Sequence, residues 1–235
     1  MSLVVTVYVP SGIVMAADSR MSMRRTEERE EDGKRVRFEQ QIVFSDNANA
    51  LVRLRLAPLG ISVYDARVID NQPIESHIQK FESEVLKAGD DIDAAGDKLL
   101  AYFKERYPQA PVGFHVAGYR RQGKSNIPVV LVGHTTREPA MRRVNVSEAG
   151  DAQYGVVRAG DTLVANRLID KKHLPLFTAM PLQDAIDYAV YLIRTTIETL
   201  RFEPRAPTVG GPIDVLVVTP DGPQWVQRKE LRGEG

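Results

Sequence analysis

The chain opens with two short apolar segments separated by a turn. Residues 4–9 and 13–17 are almost entirely apolar, and the Pro-Ser-Gly sequence at 10–12 lies between them. Apolar runs on either side of a glycine-containing turn are typical of a β-hairpin. Such a hairpin brings Asp18, which follows the second strand, level with residue 2. The pattern therefore predicts a carboxylate beside the start of the chain.

Further strand-like runs follow this hairpin. Residues 21–34 are mostly charged, which predicts a solvated loop or the tip of a hairpin. Apolar runs at 36–44, 51–56 and 59–64 then predict three strands, although the imperfect alternation of the second leaves its register open.

Apolar residues recur at helical spacing in four later segments, and strand patterns lie between and after them. The predicted helices cover 73–89, 92–107, 162–170 and 182–200. The predicted strands cover 112–119, 129–134, 141–146, 154–158, 213–219 and 224–227. Strands, two helices, strands, two helices and strands predict an α+β fold, a four-layer αββα sandwich of two antiparallel sheets between two helical layers.

Length and composition fit one folded domain over residues 1–235. The chain has 235 residues with 43% hydrophobic content, enough for a substantial core. The terminal segments 1–3 and 234–235 have the character of residues that expression vectors add. Lys and Arg total 31, as do Asp and Glu, so no net field favours nucleic acid or an anionic membrane as a partner.

The absence of cysteine narrows the chemistry further. It excludes disulfides, zinc–thiolate sites and a cysteine nucleophile, and it fits a cytoplasmic protein. The four histidines show no metal-ligand spacing, so we expect neither a metal nor another cofactor. The sequence has neither an apolar run near the length of a membrane span nor a secretory signal pattern.

Two motifs and the order of elements resemble the β-type proteasome subunits and their bacterial relatives, which are N-terminal-nucleophile hydrolases. Residues 12–20, Gly-Ile-Val-Met-Ala-Ala-Asp-Ser-Arg, are similar to that family's second strand with its Asp and Arg. The Gly-Gly, strand and Asp-Gly pattern of residues 208–222 is similar to the family's C-terminal run. The resemblance covers nearly the whole chain.

The resemblance implies amide hydrolysis by a hydroxyl on the first residue of the mature chain, with that residue's amine as general base. Ser2 would supply the hydroxyl after removal of Met1, and Asp18 would hold the charge network together. Arg20 would pair with Asp18 or fix the surrounding loop. Spacing from Arg20 places the family's active-site lysine at Lys34.

Several positions depart from the family pattern. Strand context places the lysine instead at Ala50, which carries no charge, and Arg53 could not carry a proton in its place. Asp65 stands where active subunits have the glycine of the oxyanion site. Ala206 and Val209 replace a supporting Asp and Ser, and another supporting Ser is absent near 159–160.

Three functions remain open on this sequence. The first is a proteasome-β-like hydrolase of peptide or amide bonds that acts through an acyl-enzyme. The second is a catalytically inactive subunit that serves assembly or binding, and the third is a hydrolase of small amides. The resemblance also implies a homo-oligomer, and an ATPase partner by analogy alone.

Overall fold

The computed structural model describes residues 2–31, 34–170 and 172–230, apart from the side chains of Arg24, Glu31, Lys34 and Glu39. These ranges contain strands β1 to β14 and helices α1 to α4. The strands are β1 Leu3–Val9, β2 Gly12–Asp18, β3 Met21–Glu31, β4 Lys34–Ser45, β5 Leu51–Arg53, β6 Gly60–Asp65, β7 Val68–Ile69, β8 Gln72–Pro73, β9 Val112–Gln122, β10 Ser125–His134, β11 Arg142–Arg143, β12 Gly155–Gly160, β13 Ile213–Thr219 and β14 Gly222–Gln227. The helices are α1 Ile74–Glu84, α2 Ile92–Arg106, α3 Leu163–Leu168 and α4 Leu182–Leu200, with a 3-10 helix at Phe177–Ala179.

Two five-stranded antiparallel sheets form the body of the protein. The first has the order β12-β1-β2-β13-β14, and the second has the order β11-β10-β9-β6-β5. The predicted opening hairpin is present, with Val9 opposite Gly12 and Val4 opposite Ala17. This register places the start of the chain beside the end of β2.

Three clusters of buried apolar side chains hold these elements together. One joins the first sheet to α3 and α4, where Ala185, Ala189 and Ile193 repeat at helical spacing towards the sheet. A second joins the other sheet to α1 and α2. The third lies between the sheets and includes Met15 from β2 and Val130 from β10. Because β1 and β2 are buried on both faces, their sequences are nearly continuous apolar runs.

Several predicted strands are shorter in the structure. Strand β5 stops at Arg53, because Leu54 donates its backbone N–H to Leu59 and the chain turns between them. Of the predicted strand at 141–146, residues 142–143 form β11 beside β10, and Val144 adds one backbone hydrogen bond to Val130 at 2.9 Å. Helix α1 ends at Glu84 rather than near Gly89, since Val85 leaves helical geometry with φ −122°.

The charged segment after β2 forms a long two-stranded ribbon. Strands β3 and β4 pair with one another from Met21 opposite Ser45 to Glu31 opposite Lys34. They belong to neither five-stranded sheet. Among the described residues, no helix is long and apolar enough to cross a membrane.

Candidate functional site

Ser2 lies immediately before β1 and is fully buried. Its Oγ accepts a hydrogen bond from Nε of Arg67 at 3.0 Å. Its carbonyl oxygen accepts a hydrogen bond from the backbone N–H of Asp161 at 2.8 Å. The beginning of the chain is therefore fixed from two sides.

The Asp18 carboxylate ties three separate segments to the site. Oδ1 accepts from the backbone N–H of Leu3 at 2.8 Å. Oδ2 accepts from the N–H groups of Gly210 at 2.9 Å and Arg20 at 3.2 Å. Burial raises the pKa of Asp18 to about 6, although the Arg67 charge and these three hydrogen bonds act in the opposite direction.

Arg67 supplies the cation nearest to Ser2 among the described residues. It lies in the loop after β6, is 6% exposed, and donates from Nη2 to the Asp18 carbonyl oxygen at 3.4 Å. Its buried Nη1 has no hydrogen-bond partner in the described structure. Burial lowers the pKa of Arg67, and the negative charge of Asp18 partly offsets this effect.

Arg67 was not among the predicted site residues. The resemblance places the family's lysine at residue 34 or just before β5, whereas Arg67 reaches Ser2 from the loop after β6. The available signal was an arginine two residues beyond Asp65, the last residue of a mostly buried strand. Only the tertiary structure shows that this loop faces Ser2.

Asp65 holds the loop that carries Arg67. Its φ of 68° is in the left-handed region that glycine prefers, which agrees with the glycine expected at this position. The carboxylate accepts from Nε2 of the buried His134 at 3.0 Å and from Nη2 of Arg137 at 2.8 Å. These two donors offset the negative charge of the Asp65 carboxylate, which stands where the resemblance implies the glycine of the oxyanion site.

Arg20 contributes its backbone to the site and its side chain to the neighbouring loop. The guanidinium forms two hydrogen bonds with the Asp46 carboxylate, at 2.6 and 2.8 Å, and a third with the Pro207 carbonyl oxygen at 3.2 Å. A Cβ at Gly210 would lie 2.4 Å from Cζ of Arg20, so a larger residue there would displace the guanidinium from these partners. The Arg20 side chain thus pairs with Asp46, while its backbone N–H bonds the Asp18 carboxylate.

Lys34 is not brought to Ser2. Its side chain is outside the described structure, but its backbone pairs with Glu31 at the far end of the ribbon. Ten residues of β3 separate that end from Met21, a distance of roughly 33 Å along the strand. Ala50, the alternative position, is buried and its carbonyl accepts from the Val63 N–H at 2.8 Å.

A polar cluster supports the residues behind Ser2. The buried Asp161 carboxylate accepts hydrogen bonds from the Thr208 hydroxyl and the Arg205 guanidinium. Despite its burial, these bonds hold the pKa of Asp161 below the usual range. Val209, one of the departures from the family pattern, packs instead into the core beside the first sheet. Asp161 and Thr208 thus supply polar groups behind Ser2, although Ala206 and Val209 do not.

A cleft of about 370 Å³ lies next to this site. It is formed by the base of the ribbon and the loop that carries Arg67. Its lining residues are Met21, Ser22, Met23, Phe44, Asp65, Ala66, Arg67, Val68 and Asn71. Across the described ranges, no group of three or more His, Asp or Glu residues is placed to hold a metal ion. The site therefore combines a hydroxyl, a buried carboxylate and a buried guanidinium beside a largely apolar cleft.

Comparison with known proteins supports the fold. No protein-family model and no curated protein matches this sequence. Among solved structures, the chain is similar to the Gly-1 mutant of Anbu, a proteasome-like protein, from Hyphomicrobium sp. strain MC1. The TM-score is 0.64 at 14% sequence identity, over 97% of this chain and 86% of that chain. The fold is proteasome-like. At this identity the similarity extends to the fold alone.

Proposed function

We propose that this proteasome-like chain is an N-terminal-nucleophile hydrolase that cleaves amide bonds through an acyl-enzyme on Ser2. The observation that carries the proposal is the 3.0 Å hydrogen bond from Nε of Arg67 to Oγ of Ser2, beside the cleft. A guanidinium at this distance stabilises a developing alkoxide, which is the role the family gives to a lysine ammonium.

Arg67 cannot carry the proton, because a guanidinium stays protonated. The proton of the Ser2 hydroxyl would therefore pass to the α-amine that removal of Met1 exposes. A free α-amine titrates near pH 7.7 to 8, a suitable range for a general base. As Oγ bonds to the carbonyl carbon, the C–N bond breaks and the ammonium protonates the leaving amine. Water then hydrolyses the ester and regenerates Ser2.

Asp18 would set the position of the nucleophile and the charge of the site. Its carboxylate holds the N–H of Leu3, directly after the nucleophile, and balances the buried charge of Arg67. Arg20 acts through the loop that it fixes, and Lys34 has no part in this mechanism.

The substrate class follows from the cleft. Met23, Phe44 and Val68 give it apolar walls, which suit an amide or peptide with an apolar side chain next to the scissile bond. The proposal includes the four-layer αββα arrangement, which the three apolar clusters support. It also includes assembly into a homo-oligomer.

Acylation of residue 2 tests the proposal directly. The protein is expressed from its own start codon, treated with a β-lactone probe, and measured by intact mass and peptide mapping. We expect loss of Met1 and one adduct on Ser2 in the wild type, and no adduct in Ser2→Ala. Arg67→Lys should retain labelling, whereas Arg67→Gln should slow it at least tenfold.

An inactive subunit is the second candidate, and the complete burial of Ser2 favours it. It predicts a retained Met1, or a processed chain that the probe does not label at pH 8. Either result would overturn the hydrolase proposal while leaving the fold unaffected.

A further inference from the structure

Strands β3 and β4 form a two-stranded ribbon that belongs to neither five-stranded sheet. An isolated two-stranded ribbon is marginally stable in water, because it needs further strands or a covering layer to bury one face. The chain nevertheless forms strands of 11 and 12 residues here. Such a length favours a partner for the ribbon.

The two faces of the ribbon differ. Met23 lies opposite Ile42, Glu27 opposite Phe38, and Arg29 opposite Val36, so one face carries four apolar side chains. Met23 and Phe38 on this face are 54% and 42% exposed. We call Met23, Val36, Phe38 and Ile42 the apolar stripe.

The outer edge of β3 is also open, since β3 pairs only with β4 among the described strands. Unpaired N–H and C=O groups along such an edge favour the addition of another strand. We propose that two copies of this chain pair antiparallel along β3, about a two-fold axis at Thr26, and form one four-stranded sheet. This inference is independent of the proposed catalysis.

The charges of β3 select this register. A two-fold axis perpendicular to the sheet keeps the same face of both copies on one side of the new four-stranded sheet. Odd-numbered residues of one β3 therefore lie opposite odd-numbered residues of the other. With the axis at Thr26, Arg25 of one copy lies opposite Glu27 of the other, and the reverse. Each opposite-charge pair across strands contributes about 0.2–1 kcal/mol. Within one chain, Glu27 already contacts Arg25 and Arg29 at 2.9 and 2.8 Å, so pairing would extend an alternating network.

The neighbouring registers place like charges together. An axis at Arg25 places Arg25 of one chain opposite Arg25 of the other. An axis at Glu27 likewise places the two Glu27 carboxylates opposite each other. The second of these also sets Arg25 opposite Arg29. Like charges directly opposite one another are destabilising. The Thr26 register avoids both clashes and brings the two apolar stripes onto the same face of the new sheet.

The composition of the ribbon favours a second copy over a nucleic acid. Residues 21–45 contain six basic and six acidic residues, and Arg25, Glu27 and Arg29 alternate in sign along one face of β3. A nucleic-acid surface would instead need an excess of positive charge. The charges of β3 therefore complement those of a second β3 that runs antiparallel to it.

A single cysteine tests the register, because the natural chain has none. Opposite residues on antiparallel strands have Cα atoms about 4.5–5.5 Å apart, within the range of a disulfide. Thr26→Cys should therefore cross-link two chains under mild oxidation. In Glu28→Cys, the matched control, the register separates the two cysteines by four residues, roughly 14 Å along the strand. It should stay monomeric on a non-reducing gel.

Charge reversal then tests the complementarity. In the Thr26→Cys background, Glu27→Arg sets arginines opposite one another and should slow cross-linking at least tenfold. The double exchange Arg25→Glu with Glu27→Arg restores opposite charges and should restore the rate. Light scattering of the cysteine-free protein should show a concentration-dependent dimer that Glu27→Arg weakens. Equal cross-linking of the two cysteine variants, or no effect of Glu27→Arg, would overturn the proposal.

Discussion

At the residue scale, the arginine at position 67 determines what the site can do. A guanidinium donates hydrogen bonds in a fixed plane and holds its charge even when buried. Arg67 uses Nε for Ser2 and Nη2 for the Asp18 carbonyl, so its plane is set by two contacts. A lysine at this place could rotate and exchange a proton, whereas this site keeps a permanent positive charge beside the hydroxyl.

The titration of Asp18 tests how the buried carboxylate and the Arg67 guanidinium affect stability. Because burial raises its pKa to about 6, the folded state binds this proton more tightly than the unfolded chain, whose pKa is 3.8. The contribution of Asp18 to stability should therefore decrease as the pH rises from about 4 to about 6, and stay constant above that. Asp18→Asn does not titrate, but its NH₂ group cannot accept from the N–H groups of Gly210 and Arg20. Urea unfolding should show that the advantage of wild type over Asp18→Asn shrinks by up to about 3 kcal/mol between pH 4 and 7. An advantage that grows with pH would mean that the hydrogen bonds dominate burial.

Gly160 is required by the position of Ser2. It has φ +88°, and a Cβ there would lie 1.7 Å from the Ser2 carbonyl oxygen. Gly160→Ala should therefore cost about 3 kcal/mol or more, through both backbone strain and the clash. Gly89→Ala is the matched control, because Gly89 has φ +95° and no atom within 4 Å of such a Cβ. Thermal unfolding should show a loss of only about 1–2 kcal/mol for the control; similar losses would show that the contact with Ser2 has relaxed.

At the element scale, the loop between β6 and α1 stores strain next to the site. Asp65, Asp70 and Asn71 all have positive φ, although none is glycine. Each such residue costs of order 1–3 kcal/mol and persists where the surroundings impose it. The loop holds Arg67 between these positions, so its geometry fixes the guanidinium.

Substitutions at Asp65 should separate backbone strain from lost hydrogen bonds. Asparagine tolerates positive φ and can still accept from His134, so Asp65→Asn should cost at most about 1.5 kcal/mol. Asp65→Val combines a β-branched side chain at positive φ with an unpaired buried imidazole, and should cost about 3 kcal/mol or more. Urea unfolding at pH 7 measures both. Equal losses would show that the loop relaxes and that Asp65 does not hold it.

The elements differ in how far the sequence predicts them. The opening hairpin, the helices and the closing hairpin follow from local patterns, because their apolar spacing and turn residues act within a few residues. The association of Ser2 with Asp18 follows from the same hairpin. The contact between Arg67 and Ser2 does not, since it joins residues 65 positions apart through a strained loop. Lys34 was selected by spacing alone, and the ribbon carries it away from the site.

At the scale of the whole molecule, the two sheets meet around a polar pair inside an apolar layer. The Thr6 hydroxyl on β1 lies 3.0 Å from Nδ1 of His115 on β9, and both residues are buried. The Tyr64 ring packs on the imidazole at 5.7 Å between centroids. Ser62, opposite His115 on β6, has a buried Oγ without a partner in the described structure. No acidic side chain contacts the imidazole among these neighbours, so a charge on it would be uncompensated.

This arrangement predicts that acid destabilises the packing of the sheets. Burial lowers the pKa of His115 to about 3, whereas the unfolded chain has a value of 6.5. Below pH 6.5 the unfolded state therefore binds a proton that the folded state excludes, and stability falls as the pH falls. Between pH 7 and 5 the loss from this one group is about 2 kcal/mol. Asp18 acts in the opposite direction over part of this range, so the contribution of His115 has to be isolated by substitution.

The double variant Thr6→Val with His115→Leu removes both members of the pair, so neither the Thr6 hydroxyl nor the imidazole is left without its partner. Its free energy of unfolding in urea should fall by about 2 kcal/mol less than that of wild type between pH 7 and 5. Thr6→Val alone keeps the titrating imidazole and should keep the acid sensitivity, which makes it the matched control. If the double variant loses as much stability as wild type, the acid response originates outside the contact between the sheets. If the double variant loses about 2 kcal/mol less stability than wild type, protonation of His115 is the cause of the acid response at the contact between the sheets.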